Sequence, residues 1–386
     1  MSKSKNTNEI NKKITIVAKD IPDILFSHER ELEWQLKVKG TRDGLQAPYF
    51  IAEPGIGKSQ INMQVAEAMD RIFIDIRAGN YIPSDVRIPS VDRELNVARY
   101  VGNEEFPFLR DGIDPEGRYF IHSDEMGDAT GVMHKMMKQV INDNCLGNLK
   151  LPINTLHAAS ANGLSHGCQS ERMPFSNANR YVFYHIQPDV DGWMKWLEKI
   201  GLYPELYAFM KSNADVPYDY DLTTWDGESN FASFRSLENI GKLFESNYVE
   251  TDSNGKRTLK GRPSEDPLFL PRVAGGIGYK AAQSLIAWLE IYETVGSIDK
   301  LLSDPDNCTI PSDDTTRWII ACRLVGEATE ENVDACMRVA YRLTGKKGFM
   351  AAYVAKAIAK TKPTLVSNPA IVKWMKENTL EVCGRG

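Results

Sequence analysis

The segment from residue 52 to residue 59 constrains this chain more than any other stretch. It reads Ala-Glu-Pro-Gly-Ile-Gly-Lys-Ser and lies between an apolar run, residues 49–51, and a helical pattern, residues 60–69. A strand, a glycine-containing loop and a helix in this order are typical of a phosphate-binding loop, whose backbone N–H groups face phosphate oxygens. Ala52 stands where such a loop usually has glycine, so a helix entry that contains Gly-Lys-Ser by chance remains the alternative.

In a loop of this kind, Lys58 would reach the terminal phosphates of a nucleotide and Ser59 would ligate Mg²⁺ through its hydroxyl. The sequence therefore predicts ATP and Mg²⁺ as ligands. The residues expected to contact them from this loop are Glu53, Pro54, Gly55, Ile56, Gly57, Lys58, Ser59 and Gln60.

Acidic residues follow an apolar run, residues 119–121, downstream of the loop. Asp124 at the end of a strand can hold the Mg²⁺ shell, and Glu125 beside it can orient or deprotonate the attacking water. The alternative is an acidic helix start, which the helix dipole favours.

Two more polar residues occur near predicted strands. Asn162 closes an apolar segment, residues 153–161, and its amide could bond both water and the γ-phosphate, although Asn-Gly is also a turn signal. Arg180 directly precedes the last predicted strand, residues 181–186. Its guanidinium could enter the site of a neighbouring subunit and stabilise charge, and the alternative is a surface arginine.

Strand and helix patterns alternate up to residue 190, which predicts an α/β fold: a P-loop NTPase core with a parallel sheet and helices on both faces. Helical patterns dominate the rest of the chain, and the family resemblance described below implies that they form an α-helical lid followed by a C-terminal helical extension. The expected divisions are a polar tail at 1–13, the core at 14–190 with a long irregular insertion at 78–113, the lid at 191–300 and the extension at 301–386.

Composition excludes several classes of protein. The net charge of −6 gives no general reason for nonspecific nucleic-acid binding. The six cysteines contain no Cys-x-x-Cys pair and are expected to be free thiols in a reducing cytoplasm, with no structural zinc. No apolar run approaches the length of a membrane span, and the polar residues 1–13 are not expected to act as a secretory signal.

The order of these signals resembles that of an AAA+ ATPase, and more narrowly the MoxR-like branch of the helix-2-insert clade. The stretches that carry the resemblance are residues 81–89, 173–196, 231–238 and 274–278. The resemblance implies that Asn162 is a sensor, that Arg180 is an arginine finger, and that Arg235 is the second sensor, with Arg272 as a rival. It leaves open whether Arg235 acts in its own subunit or in a neighbouring one.

The resemblance also implies a homo-oligomeric, hexameric ring that uses ATP hydrolysis to remodel a protein client, with a von Willebrand A-type partner. The insertion would line the pore, where Tyr81, Tyr100 and Phe106 are either client contacts or local packing. A nucleic-acid motor or restriction-type subunit and an ATP-gated scaffold with little hydrolysis are the alternatives. The first would use a basic cluster of Lys256, Arg257, Lys260 and Arg262.

Overall fold

The chain folds into two compact units, Met1–Asp189 and Val190–Gly386. The computed structural model describes residues 14–42, 44–94, 96–163, 173, 175–200, 203–223, 225, 227–343 and 349–377. The predicted polar tail at 1–13 lies outside these residues. Among the described helices, none combines the length and the apolar character that crossing a bilayer would require.

The first unit is built on a six-stranded sheet in which every neighbouring pair is parallel. Its strands, labelled in chain order, are β1 (Thr15–Val17), β2 (Ala47–Ala52), β3 (Ile72–Arg77), β6 (Tyr119–Asp124), β9 (Thr155–Asn162) and β10 (Tyr181–Gln187). The spatial order is β1-β10-β2-β9-β6-β3. Strand β9 therefore lies between β2 and β6, and the carboxyl ends of these three strands meet at one edge.

Helices cover both faces of this sheet. The helices of the first unit are α1 (Ile21–Lys39), α2 (Lys58–Ala68), α3 (Pro83–Val86), α4 (Gly131–Asp143) and α5 (Phe175–Ala178). Met133 and Met137 of α4 pack with Ile121 and Ala159 in one buried cluster. Alternate strand residues point to the opposite face, where α1 and α2 contact β2, β3 and β6.

The sequence predicts an irregular insertion at 78–113, but part of this insertion is regular in the structure. It contains an antiparallel hairpin of β4 (Arg87–Asp92) and β5 (Val97–Gly102). Most residues of both strands are exposed, so the hairpin lacks the alternation of apolar and polar residues that would identify a strand. A second, shorter hairpin joins β7 (Cys145–Leu146) to β8 (Leu149–Lys150).

The second unit is mainly helical, as predicted. Its helices are α6 (Val190–Ile200), α7 (Pro204–Ser212), α8 (Phe234–Tyr248), α9 (Phe269–Ile277), α10 (Tyr279–Val295), α11 (Asp299–Ser303), α12 (Asp314–Glu327), α13 (Val333–Leu343), α14 (Phe349–Thr361) and α15 (Pro369–Glu377). One buried core runs from Met194 to Trp374 and includes helices on both sides of residue 300.

The sequence predicts one helix over residues 274–295 and an exposed loop at 247–267, and it does not identify a helix at 314–327; the structure differs at all three places. The stretch 274–295 is not one helix, because Gly278 has φ +82° and separates α9 from α10. The polar stretch at 247–267 contains a hairpin of β11 (Val249–Thr251) and β12 (Arg257–Leu259). Helix α12 was not predicted, since its residues 319–322 are all buried and leave little amphipathic pattern to recognise.

Candidate functional site

The glycine-containing loop joins the end of β2 to the start of α2, as the sequence predicted. Gly55 has φ +78° and Gly57 has φ +98°, a region of backbone space that L-residues rarely adopt. A Cβ at position 57 would have no neighbour closer than Ile61 Cδ1, at 4.0 Å. Glycine is therefore required here by the backbone angle and not by lack of space. Ala52 is still part of β2 and has a negative φ, so its backbone does not need glycine.

The side chain of Lys58 lies across the base of the loop and is 7% exposed. Its Nζ donates to the Glu53 carbonyl at 3.2 Å and to Asn162 Oδ1 at 3.1 Å. The second contact joins residues 104 positions apart in sequence. The strand order makes it possible, because β9 is the direct neighbour of β2, where Ala52 pairs with Asn162.

Asp124 is held by hydrogen bonds on both carboxylate oxygens. The Ser59 hydroxyl donates to Oδ2, the Ser160 hydroxyl donates to Oδ1, and the Glu125 amide donates to Oδ1 at 2.8 Å. Burial alone would raise the pKa of the Asp124 carboxyl. The electrostatic effect of His122 and these hydrogen bonds outweigh burial and hold the pKa below its ordinary value. The carboxylate is therefore ionised at neutral pH, as a magnesium ligand must be.

Glu125 follows Asp124 in an unusual backbone conformation, with φ +53°. A non-glycine residue in this region carries strain, and such strain is concentrated at functional sites. The side chain is half-buried at the carboxyl end of β6, next to the carboxylate that Ser59 contacts.

Arg180 lies far from the loop within the first unit. It directly precedes β10, and its carbonyl accepts from the Ala47 amide at 3.1 Å, so it lies at the amino ends of the strands. The loop follows their carboxyl ends. Arg180 Nη1 donates to Asn142 Oδ1 of α4 at 3.0 Å. Because β2 has six residues, about 20 Å separates the two edges.

The remaining predicted arginines, Arg235 and Arg272, belong to the second unit and are exposed. Arg235 is in the first turn of α8, after the N-cap Ser233. Its assignment as the second sensor stays a prediction.

The three aromatic residues proposed for the insertion have different environments. Phe106 is fully buried and stacks on Phe108 with ring centroids 5.3 Å apart, so it is a packing residue. Tyr81 packs edge-on against Phe106, and its hydroxyl donates to Glu105. Tyr100 is 42% exposed and lies 4.2 Å from the Arg87 guanidinium.

Sequence reasoning missed two contributors near Asp124. Ser160 lies two residues before Asn162 on the same face of β9, so the period of a strand could have identified it. Asp75 of β3 is paired with His122 of β6 in the sheet register, and His122 Nδ1 lies 3.0 Å from Asp75 Oδ1. No local motif marks that pair, because only the strand order brings the two residues together.

Comparisons with known proteins add little detail. No family model matches the chain, and none of the curated proteins matches it. Solved structures do match, and one of them is a closed-state cryo-EM reconstruction of Hsp104 with ATPγS and FITC casein. It is 14% identical, with a TM-score of 0.34, and the match covers 59% of this chain and 47% of that chain. The chain thus spans about half the length of that relative.

The strand order and contacts of the chain itself define the fold class. The parallel sheet, the helices on both faces, the glycine loop between β2 and α2 and the helical region after residue 190 confirm the predicted α/β P-loop NTPase fold.

Proposed function

We propose that the chain is an AAA+ ATPase that binds ATP with Mg²⁺ and hydrolyses ATP to ADP and phosphate. One observation carries this proposal: Lys58 contacts Asn162 while Ser59 contacts Asp124, so that the loop is joined to the ends of two neighbouring strands. These are the residue types that hold a nucleotide phosphate chain and its metal ion.

The proposed roles follow from the chemistry of each group. The backbone of residues 53–60 and the Lys58 ammonium would hold the phosphates. Ser59 and Asp124 would hold Mg²⁺, and a hydroxyl with an ionised carboxylate fits the oxygen ligands this ion prefers. When bound, Mg²⁺ neutralises charge on the phosphate oxygens. Glu125 would orient and deprotonate the attacking water, and Asn162 would bond that water or the γ-phosphate.

The finer assignments rest on the family resemblance. They are a MoxR-like hexameric ring, a protein client, a von Willebrand A-type partner, and Arg235 as a second sensor whose subunit of action is open. Arg180 lies at the opposite edge of the sheet from the loop, so it can complete only the site of another protomer. This position supports the assembly of the chain into a ring.

The nucleic-acid alternative has no structural support in the basic cluster. Each of its four side chains faces a carboxylate within the second unit: Lys256 faces Glu327 at 3.7 Å, Arg257 faces Glu205 at 3.0 Å, Lys260 faces Glu250 at 3.4 Å and Arg262 faces Glu293 at 3.2 Å. Paired cations of this kind bind phosphate backbones poorly, because each new contact must displace an existing ion pair.

Phosphate release measured in wild type and in Glu125→Gln tests the proposal. We expect turnover to fall by about 10²–10⁴-fold with ATP affinity retained, since a general base contributes roughly that factor. Asp128→Asn is the matched control, because Asp128 is an exposed carboxylate three residues further along. Turnover in Glu125→Gln within twofold of wild type would overturn the assignment. ATP binding without turnover in wild type, under assembling conditions, would favour the scaffold alternative.

A mixing experiment tests the role of Arg180. Glu125→Gln and Arg180→Ala are each expected to be inactive alone. If the arginine acts across a subunit boundary, mixed assemblies contain some sites with both groups intact and recover part of the activity. A mixture as inactive as its components would exclude a role in the neighbouring site.

A further inference from the structure

We propose that Ser160 is a positioning residue for the magnesium site and a determinant of its metal selectivity. Its hydroxyl donates to Oδ1 of the Asp124 carboxylate, so that only Oδ2 is left to take part in metal binding. A carboxylate that offers a single oxygen suits Mg²⁺ better than Ca²⁺. The inference rests on the proposed function, because it assigns a role to a residue beside the proposed magnesium ligands.

The sheet register places Ser160 beside Asp124. Strands β6 and β9 are parallel neighbours, and Ser123 of β6 pairs with Ala159 of β9. The next residue of each strand, Asp124 and Ser160, therefore lie side by side at the carboxyl ends. Ser160 is fully buried, so its hydroxyl bonds the carboxylate and not solvent. It lies on the same face of β9 as Asn162, which contacts the glycine loop.

The hydrogen bonds to Asp124 leave its two carboxylate oxygens in different states. An ionised carboxylate has about four acceptor sites, about two on each oxygen. On Oδ1, the Ser160 hydroxyl occupies one site and the Glu125 amide, at 2.8 Å, occupies the other. On Oδ2, the Ser59 hydroxyl occupies one site among the described residues, so an acceptor site stays open there. The open site is thus on the oxygen that faces Ser59, the other proposed magnesium ligand.

This difference between the two oxygens affects the choice of metal ion. Ca²⁺ accepts both oxygens of one carboxylate in a flexible shell, whereas Mg²⁺ demands near-ideal octahedral geometry and keeps several waters. With Oδ1 occupied, Asp124 does not offer both oxygens. Removing the Ser160 hydroxyl would release a site on Oδ1 and loosen the carboxylate, so the affinity for Mg²⁺ should fall more than the affinity for Ca²⁺.

A metal titration of the nucleotide complex tests this inference. With protein in excess, a slowly hydrolysed fluorescent ATP analogue is fully bound in metal-free buffer, and its signal then follows the addition of Mg²⁺ or Ca²⁺. In Ser160→Ala, we expect metal-free binding of the analogue to match wild type. The dissociation constant for Mg²⁺ should rise roughly 10–100-fold, the usual effect of losing a hydrogen bond to a metal-binding carboxylate. The rise for Ca²⁺ should be about tenfold smaller.

Ser123→Ala is the matched control. Ser123 is also a fully buried strand serine, and it directly precedes Asp124. Its hydroxyl has no hydrogen-bond partner within the described part of the chain. The same loss of a hydroxyl at this position should leave the dissociation constants for both ions as in wild type.

Three outcomes would overturn the inference. They are a Mg²⁺ dissociation constant in Ser160→Ala no higher than in Ser123→Ala, equal rises for Mg²⁺ and Ca²⁺, and a loss of metal-free analogue binding in Ser160→Ala, which would show that the hydroxyl supports the fold instead. Failure of the proposed function gives a different result. Wild type itself would then not bind the analogue, or would bind it with no response to Mg²⁺, and this inference would fall with it.

Discussion

Replacing Gly57 by alanine gives the sharpest test of the loop. The backbone at this position has φ +98°, and the nearest atom to an added methyl group is 4.0 Å away. The substitution therefore introduces backbone strain without a steric clash. For an L-residue, a left-handed conformation costs roughly 1–2 kcal/mol, and the free energy of unfolding should fall by about that amount.

The part of this penalty that the loop relieves by leaving its present shape should appear in ATP binding instead of in stability. If the phosphates require the loop in its present shape, an alanine that disfavours this shape lowers the fraction of competent molecules. The apparent Kd rises in proportion, and 1–2 kcal/mol corresponds to a factor of about 5–30. Titration with a fluorescent ATP analogue would measure the change, and urea denaturation would measure stability in the same samples.

Gly40→Ala is the matched control for this experiment. Gly40 caps the end of α1 with φ +67° and has no atom within 4 Å of an added Cβ. It should lose a similar amount of stability and bind ATP as wild type does. If Gly57→Ala loses less than about 1 kcal/mol of stability and still binds ATP as wild type does, the loop does not need its present shape to hold the phosphates. If neither variant loses stability, the reasoning from backbone angle is wrong.

Three further predictions concern stability, each measured by chemical denaturation. Burial, with a contribution from a nearby arginine, lowers the pKa of His28 to about 3. Below pH 6.5 the unfolded chain binds a proton at this residue that the folded chain does not bind. The free energy of unfolding is therefore highest above pH 6.5 and should fall by about 2 kcal/mol by pH 5. His28→Gln should reduce that loss, and an unchanged slope would contradict the assignment. Arg71 has a fully buried side chain that contacts Glu29 at 2.9 Å. Arg71→Ala should cost about 1–3 kcal/mol, because the Tyr119 and Asn154 carbonyls lose their donor while Arg118 still pairs with Glu29 at 2.7 Å, and unchanged stability would refute this. Gly278 has φ +82° and ψ 156°, and an added Cβ would lie 2.5 Å from the Asn230 carbonyl oxygen. Gly278→Ala should therefore cost more than the roughly 1–3 kcal/mol of backbone strain alone, and a milder effect would show that Asn230 can move.

The ends of the main strands could be predicted from sequence, but the order of the strands in the sheet could not. Apolar runs that stop at Ala52, Asp124 and Asn162 identify positions at the carboxyl ends of strands. Which of these positions touch depends on β9 lying between β2 and β6, and nothing local in the sequence specifies that order. The contact between Lys58 and Asn162 therefore needed the structure.

Other features escaped prediction because their burial patterns carry little periodic signal. The hairpin β4–β5 is exposed on both faces, and α12 is buried on most of its surface. In both cases residues on opposite sides of the element meet similar environments, so hydrophobicity does not alternate with the period of a strand or a helix. The His122–Asp75 pair was missed for a different reason: the two residues are 47 positions apart.

The position of Arg180 has a consequence for how activity should depend on dilution. A solitary protomer cannot bring this guanidinium to the phosphates it holds itself, because the body of the sheet intervenes. If catalysis uses the arginine, specific activity must fall as the protein is diluted below the dissociation constant of the assembly. Rate would then rise faster than linearly with protein concentration, and an enzyme complete within one chain would instead give a straight line.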